Sequence, residues 1–306
     1  MTSQAANQNR ARIPPAKSEG KRLVDDHPVK VQHDQVPGAP ESLTTFYRDF
    51  DESGRLTHGH GLVEFRRTQA LLRRHLPPPP ARVLDVGGGP GVHATWLADD
   101  GYDVLLLDPV EQHVARATAL AAGRFTARTG DARSLDRAPG TVDAVLLLGP
   151  LYHLPDPADR ATALREAVRS ARPGGLVAVA AISRVGGGAV DAVRRDLLAE
   201  PAVRSAVHDV LNTGWTRLAP AFYFHTPDEL GAELLAADLL DVRVHGLEGP
   251  AWALVPDHAG SSDPIVTTVA DLADLADADP MTVGASSHLL AIGHTSSSGS
   301  VQLQAQ

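Results

Sequence analysis

A short apolar run that meets an acid and opens into alternating glycines leaves a chain few folds: Val83-Leu84-Asp85-Val86-Gly87-Gly88-Gly89-Pro90-Gly91. It reads as a strand passing through a tight loop into a helix, because backbone without Cβ turns sharply and lets a ligand lie against it. A second apolar run, Leu105-Leu106-Leu107, ends in Asp108, 23 residues beyond Asp85. An acid at that place suits ribose hydroxyls, since a carboxylate accepts two hydrogen bonds side by side. The glycines alone do not choose the ligand. Gly89-x-Gly91-x-x-Ala94 also satisfies the loose dinucleotide pattern, so NAD stays open.

The flanking residues predict strands and helices in alternation. A helix over 61–75 carries Leu62, Phe65 and Leu72 on one face, and Pro77–Pro80 end it before a strand at 82–86. A helix through Ala94, Trp96 and Leu97 follows the loop, then a strand at 103–107, a helix over 111–122 and a weak strand at 125–128. Val142–Leu148 is nearly all apolar, as expected of a strand covered on both faces. Asp156-Pro157 and Thr226-Pro227-Asp228-Glu229 place capping side chains ahead of prolines and start helices that run to Arg172 and Leu239. Strands at 176–182, 241–245 and 287–293 complete the set. This predicts an α/β fold, a doubly wound, Rossmann-like parallel sheet of seven strands.

Residues 185–225 interrupt the alternation after the fifth strand, with Leu197, Val203, Val207 and Leu211 as the apolar positions of two short helices. A helical insertion there lies over the carboxyl ends of the strands, where open α/β sheets bind ligands, and is read as a substrate lid. A second insertion, 250–285, holds an acidic helix around Thr268–Ala278 and is read as peripheral packing.

Composition narrows the partners. Lys and Arg number 28 against 37 Asp and Glu, a net charge of −9 with no dense basic cluster, which disfavours nucleic acid. The chain has no cysteine, so disulfides, thiolate nucleophiles and cysteine zinc sites are excluded. No apolar run reaches the roughly 18 residues a membrane span needs, and polar Met1–Pro15 lacks a signal-peptide core, so no membrane partner and a cytoplasmic location are expected. Lys17, Lys21 and Lys30, the chain's three lysines, all fall in residues 1–40, which read as a disordered leader to a domain at 41–294. Residues 295–306 read as a flexible tail, and the sequence leaves the oligomeric state open, a homodimer included. His58 and His60 flank one glycine, yet no carboxylate at fixed spacing joins them, so no metal is expected.

Taken together, Asp85-x-Gly87-x-Gly89-x-Gly91, Asp108 and Gly130-Asp131 resemble the class I S-adenosylmethionine-dependent methyltransferases, over about residues 46–294. Glu64-Phe65-Arg66-Arg67-Thr68 and Glu248-Gly249-Pro250-Ala251-Trp252 are similar to motifs of a bacterial, actinobacterial-type group of small-molecule methyltransferases. The resemblance implies a final strand running back antiparallel and S-adenosylmethionine as cofactor. It places Asp85, Gly87, Gly88, Gly89 and Gly91 under the cofactor's amino-acid end, Asp108 and Pro109 at the ribose, and Asp131 and Ala132 at the adenine. Leu148 would lie beside the cofactor and Arg67 at its carboxylate, whose shape a guanidinium fork matches. Tyr152 and His153 would stand where methyl group and acceptor meet. There His153 either takes a proton from a hydroxyl acceptor or packs beneath the cofactor. Tyr47, His58, Phe222, Tyr223 and His225 are the candidates for the acceptor pocket. The implied function is O- or N-methylation of a small molecule by direct displacement. The excess of arginine over lysine suggests a high-GC bacterium, a setting that suits natural-product biosynthesis. A non-methylating use of the same cofactor, in cyclisation or rearrangement, NAD-dependent oxidoreduction, and a binding or regulatory protein that keeps the cofactor fold without turnover are the alternatives.

Overall fold

A computed structural model describes residues 52–277 and 279–297. The leader and Tyr47 lie outside the described residues. The described residues form eight strands: β1 (Arg82–Val86), β2 (Asp103–Asp108), β3 (Thr126–Thr129), β4 (Val142–Leu147), β5 (Ala171–Ser183), β6 (Phe224–His225), β7 (Leu240–Gly246) and β8 (His288–His294). They form one sheet in the order β3-β2-β1-β4-β5-β8-β7. The first five are parallel, while β8 runs antiparallel to both β5 and β7. The two-residue β6, absent from the sequence reading, pairs with the end of β5 so that Ile182 faces Phe224 and Ser183 faces His225.

The helices are α1 (Glu52–Arg55), α2 (Gly59–His75), α3 (Val92–Asp99), α4 (Glu111–Ala121), α5 (Pro157–Ser170), α6 (Asp191–Arg194), α7 (Pro201–Thr213), α8 (Pro227–Ala236), α9 (Pro264–Ala276) and α10 (Pro280–Val283). Alternate residues of each central strand serve opposite faces, so both faces carry core. Leu84, Val86, Val145 and Leu147 pack with Ala163, Leu164 and Ala167 of α5 and Leu230 and Leu234 of α8. Val83, Ala144 and Leu146 pack on the other side with Leu71 and Leu72 of α2, Leu97 of α3 and Ala117 of α4. The expected caps form: the Asp156 carboxylate accepts the Ala158 N–H, and Thr226 and Glu229 make a complete capping box.

Three expectations change. In the 185–225 insertion the buried apolar side chains are Ala192, Ala206 and Val210, whereas Leu197 and Leu211 are exposed. The cause is close approach: α7 lies on the glycine-rich turn Arg184–Val190, where a Cβ on Gly188 would come within 2.8 Å of Val210 Cγ1. The helix of the second insertion is not peripheral, since α9 covers the start of α2, packing Val266 and Val269 on Leu62 and Val63. Thr295 is no tail residue: it is buried, its N–H donates to Gly175 O at 2.9 Å and its hydroxyl to Arg172 O at 2.6 Å.

Candidate functional site

Residues at the carboxyl ends of β3, β2, β1 and β4 line one cavity, together with Ala180 of β5 and residues of α1 and α2. Its floor is the glycine loop. Gly87 and Gly89 have φ of 71° and 55°, and Gly91 enters α3 at φ 93°. A Cβ on Gly88 would sit 2.5 Å from Asp85 Oδ2 and 2.7 Å from Leu106 Cδ1, so any side chain there displaces the acid beneath the loop. The loop is strung to β2, with the Gly87 N–H donating to Leu107 O at 2.6 Å.

The two strand-end acids differ in what holds them. Asp108 is well satisfied: Oδ2 accepts the Gly89 N–H at 2.9 Å, Oδ1 accepts the Val110 N–H at 2.9 Å, and His113 Nδ1 lies 3.2 Å away. Asp85 is fully buried, lines the cavity, and neither oxygen has a hydrogen-bond partner among the described residues. Burial, then the charge of Asp108, pushes its carboxyl up to about 7. A buried carboxylate without partners is costly, and in a cavity it marks where a ligand's donors belong.

The structure also brings Pro109, Asp131, Ala132, Leu148, Tyr152 and His153 to this cavity. Asp131 is already engaged. The Arg133 fork donates to it at 3.0 and 2.7 Å and reaches on to Asp159 at 2.9 Å, holding the Asp131 carboxyl below its usual range. His153 lies on a short turn after β4, with Nδ1 3.3 Å from Ala221 O and its ring 4.7 Å from Tyr152 and 4.8 Å from Phe222. Burial pushes it down to about 4, so the ring is neutral at physiological pH.

Other expected residues lie elsewhere. Arg67 does not line the cavity: its guanidinium is buried at the edge of the sheet, paired with Asp274 of α9 and with Asp277 at 3.4 Å, and it donates to Leu247 O at 3.3 Å. Replacing Arg67 with Met is expected to cost about 1–3 kcal/mol by leaving these acceptors unmatched. S-Adenosylhomocysteine affinity should stay within about threefold; urea melts and calorimetry check both, and a tenfold loss of affinity would return Arg67 to the site. His58 is exposed, beside Thr57 Oγ1 at 3.3 Å and outside the cavity. Phe222, Tyr223 and His225 also lie behind the wall. Phe222 backs His153, the Tyr223 N–H donates to Tyr152 O at 2.8 Å, and Arg160 stacks over the Tyr223 ring at 3.8 Å. His225 is buried, with Nε2 3.3 Å from Glu233 Oε2. The 185–225 insertion therefore braces the Tyr152–His153 turn from outside.

The sequence reading missed Arg55, Glu64, Thr68 and His93, which also line the cavity. Glu64 is fork-paired with Arg55, and His288 lies between Glu64, at 3.5 Å, and Glu248, at 2.6 Å. Glu64, Glu248 and His288 bring donor atoms within 4.8 Å of one another. Here, however, two carboxylates face two basic side chains, a balanced set rather than the electron-rich one a cation selects. Position within a motif signalled Glu64 and Glu248; nothing in the sequence signalled Arg55.

Residues 83–175 match the family of methyltransferase domains. An uncharacterized methyltransferase of Mycobacterium sp. (strain JLS) is 43% identical over 96 residues, 31% of this chain and 36% of that protein. The 2-methyl-6-phytyl-1,4-hydroquinone methyltransferase of Synechocystis sp. is 37% identical over 136 residues, 44% of this chain and 40% of that protein. The chain thus spans less than half the length of these relatives. In fold it is similar to an S-adenosylmethionine-dependent methyltransferase of Thermotoga maritima, described as a possible histamine N-methyltransferase. That match has a TM-score of 0.53 and 17% identity and covers 84% of this chain and 99% of the other. The chain carries a class I S-adenosylmethionine-dependent methyltransferase domain, and S-adenosylmethionine is the cofactor of that domain. The residues fit it: a cationic ligand meets two buried acids, and a loop without Cβ gives it room. The NAD alternative falls with this assignment.

Proposed function

We propose that the protein transfers a methyl group from S-adenosylmethionine to a small-molecule acceptor by direct displacement. The observation that carries this reading is the unpartnered, buried Asp85 under a glycine loop, within a matched methyltransferase domain. The bound cofactor supplies a methyl group already activated by its sulfonium. Asp108 keeps a lone pair on Oδ2, which accepts the Gly89 N–H alone, for a ribose hydroxyl, with Pro109 beside it, while Asp131 and Ala132 border the adenine. Asp85 with the Gly87–Gly91 backbone receives the cationic amino-acid end, and Leu148 closes over it. The protein's main contribution is alignment of acceptor, methyl carbon and sulfur, which removes most of the entropic barrier.

His153 donates through Nδ1 to Ala221 O, so its lone pair lies on Nε2. With its conjugate acid near 4 it is a weak base, and it serves by orienting an acceptor hydroxyl beside Tyr152. An amine acceptor that arrives neutral needs no base, so both O- and N-methylation suit the site. The acidic chain with no basic cluster supports a small acceptor over nucleic acid. No helix of the described residues is long and apolar enough to cross a membrane. A chain without cysteine has no need of an oxidising compartment, which supports a cytoplasmic location.

Calorimetric titration with S-adenosylhomocysteine tests the cofactor half. The wild type should bind, and Asp108→Ala should bind about 30- to 100-fold more weakly, the worth of a charged hydrogen-bond pair. A panel of phenolic, alcoholic and amine acceptors, read by the mass gain of one methyl, tests the transfer. Cofactor breakdown without any methylated product would favour a non-methylating use of the sulfonium.

A further inference from the structure

Resting on the reading in which His153 orients the acceptor, we propose that Arg160 is a positioning residue that fixes which nitrogen of the His153 ring carries the proton. It clamps together the two segments whose contact holds that ring, with Glu233 as its anchor.

The ring is held across a seam between two distant stretches of chain. On one side runs the turn Leu151–His153 with its continuation to Pro155, and on the other run residues 221–225, the end of the insertion. Two hydrogen bonds cross the seam. The Tyr223 N–H donates to Tyr152 O at 2.8 Å, and His153 Nδ1 lies 3.3 Å from Ala221 O. A carbonyl oxygen only accepts, so the second bond requires the proton on Nδ1. Opening the seam removes that requirement, and the neutral ring then carries its proton on either nitrogen.

Arg160 is buried near the start of α5 and reaches both sides. Its Nη1 donates to Leu154 O at 2.9 Å and to Pro155 O at 3.0 Å, the two carbonyls that directly follow His153. The face of the same guanidinium lies 3.8 Å from the centre of the Tyr223 ring. One planar cation thus grips the turn by its edge and the insertion by its face, which an ammonium group cannot do. Its Nε donates to Glu233 Oε1 at 2.8 Å, while Glu233 Oε2 lies 3.3 Å from His225 Nε2. Glu233 of α8 therefore anchors the cation and the end of the insertion together. Despite burial, His225 and Arg160 hold the Glu233 carboxyl below its usual range. Arg184 steadies the same stretch, its Nε donating to Phe224 O at 3.1 Å and its Nη2 to the Tyr223 hydroxyl at 3.3 Å. Arg160 adds the link to the turn. Neither Arg160 nor Glu233 lines the cavity, so both act through His153.

The test is nuclear magnetic resonance of the full chain with 15N in its histidine rings. At pH 8 a ring whose conjugate acid lies near 4 is neutral, and the signals missing from His153→Gln assign it. In wild type the form protonated on Nδ1 should predominate. Arg160→Met should move the ratio of the two forms toward Nε2–H by about three- to tenfold, the worth of one hydrogen bond. Arg160→Met combined with Glu233→Gln leaves no buried acid unmatched and should give the same shift, so either variant suffices. Arg160→Lys keeps the charge without the fork or the stacking and should fall between. An unchanged amide spectrum, with S-adenosylhomocysteine affinity within about threefold of wild type, shows that a variant is folded. A wild-type ring protonated on Nε2, or an unchanged ratio in the folded variants, overturns the proposal. Failure of wild type to bind S-adenosylhomocysteine overturns the cofactor reading instead, and the ratio still decides this one.

Discussion

Asp85→Asn is expected to bind S-adenosylhomocysteine at least about 100-fold more weakly and yet to be more stable than wild type at pH 8. The carboxyl of Asp85 titrates near 7 in the folded protein, against 3.8 for the ordinary group, because burial and then Asp108 oppose its charge. Its folded value is raised, so the neutral form costs nothing below about pH 4, and stability is lost as pH climbs toward 7. At full ionisation the loss is on the order of 4 kcal/mol. Asparagine has a similar shape and never ionises. Urea midpoints of the ligand-free wild type should therefore fall between pH 5 and pH 8 by more than those of the variant. Binding follows the opposite course. A cationic ligand favours the ionised acid, so wild-type affinity should rise by up to about tenfold per pH unit until pH 7 and then level off, while the variant stays weak and flat. Parallel pH curves for the two proteins, in either experiment, would show that Asp85 carries no such burden.

The second large effect concerns packing beside the Glu64, Glu248 and His288 cluster. A Cβ on Gly186 would lie 1.8 Å from Ser286 O and 2.3 Å from its carbonyl carbon, backbone with no room to yield. Gly186→Ala should therefore cost about 2–4 kcal/mol and lower the melting temperature by roughly 6–12 °C. The displaced residue is also the one whose hydroxyl accepts the Glu248 and Gly249 N–H groups and donates to the Glu248 carboxylate. Gly231 is the matched control. Inside α8 its Cβ would meet Val244 Cγ2 at an ordinary 3.6 Å, so Gly231→Ala should stabilise by about 0.5–1 kcal/mol through helix propensity. Scanning calorimetry separates the two; a Gly186→Ala protein as stable as wild type would mean that the turn and the 284–286 segment move apart freely.

What could be read from the chain was what is written locally. Strands ending in Asp85 and Asp108, the glycines between strand and helix, and the Asp156 and Thr226 caps each depend on neighbours a few residues away. Arg67 shows where this fails. It shares α2 with Glu64 and Thr68, and the sequence cannot say which of these faces the cavity. That is settled by α9, some 200 residues later, whose Asp274 draws Arg67 to the outside. Arg55 was overlooked for a related reason: it is placed by Glu64, which meets His288 and Glu248 only because the fold brings α2, β8 and the turn after β7 together. In α7 the eye follows large apolar residues, but close approach to a glycine turn selects Ala206 and Val210 instead. His225, a pocket candidate by its aromatic neighbours, is held behind the wall by Glu233.

The two-residue β6 has a consequence for how such a protein acquires new chemistry. Because Ser183 and His225 are register partners, the forty or so residues between them leave the sheet and return to it at adjacent positions. A segment anchored in this way behaves as a cassette. Its length and sequence can be exchanged while β5, the capped helix that follows and the whole cofactor floor keep their places, since loop closure grows costlier only slowly with length. The part of the molecule nearest His153 is thereby the part most open to grafting between relatives, and the sheet need not be redesigned to receive it.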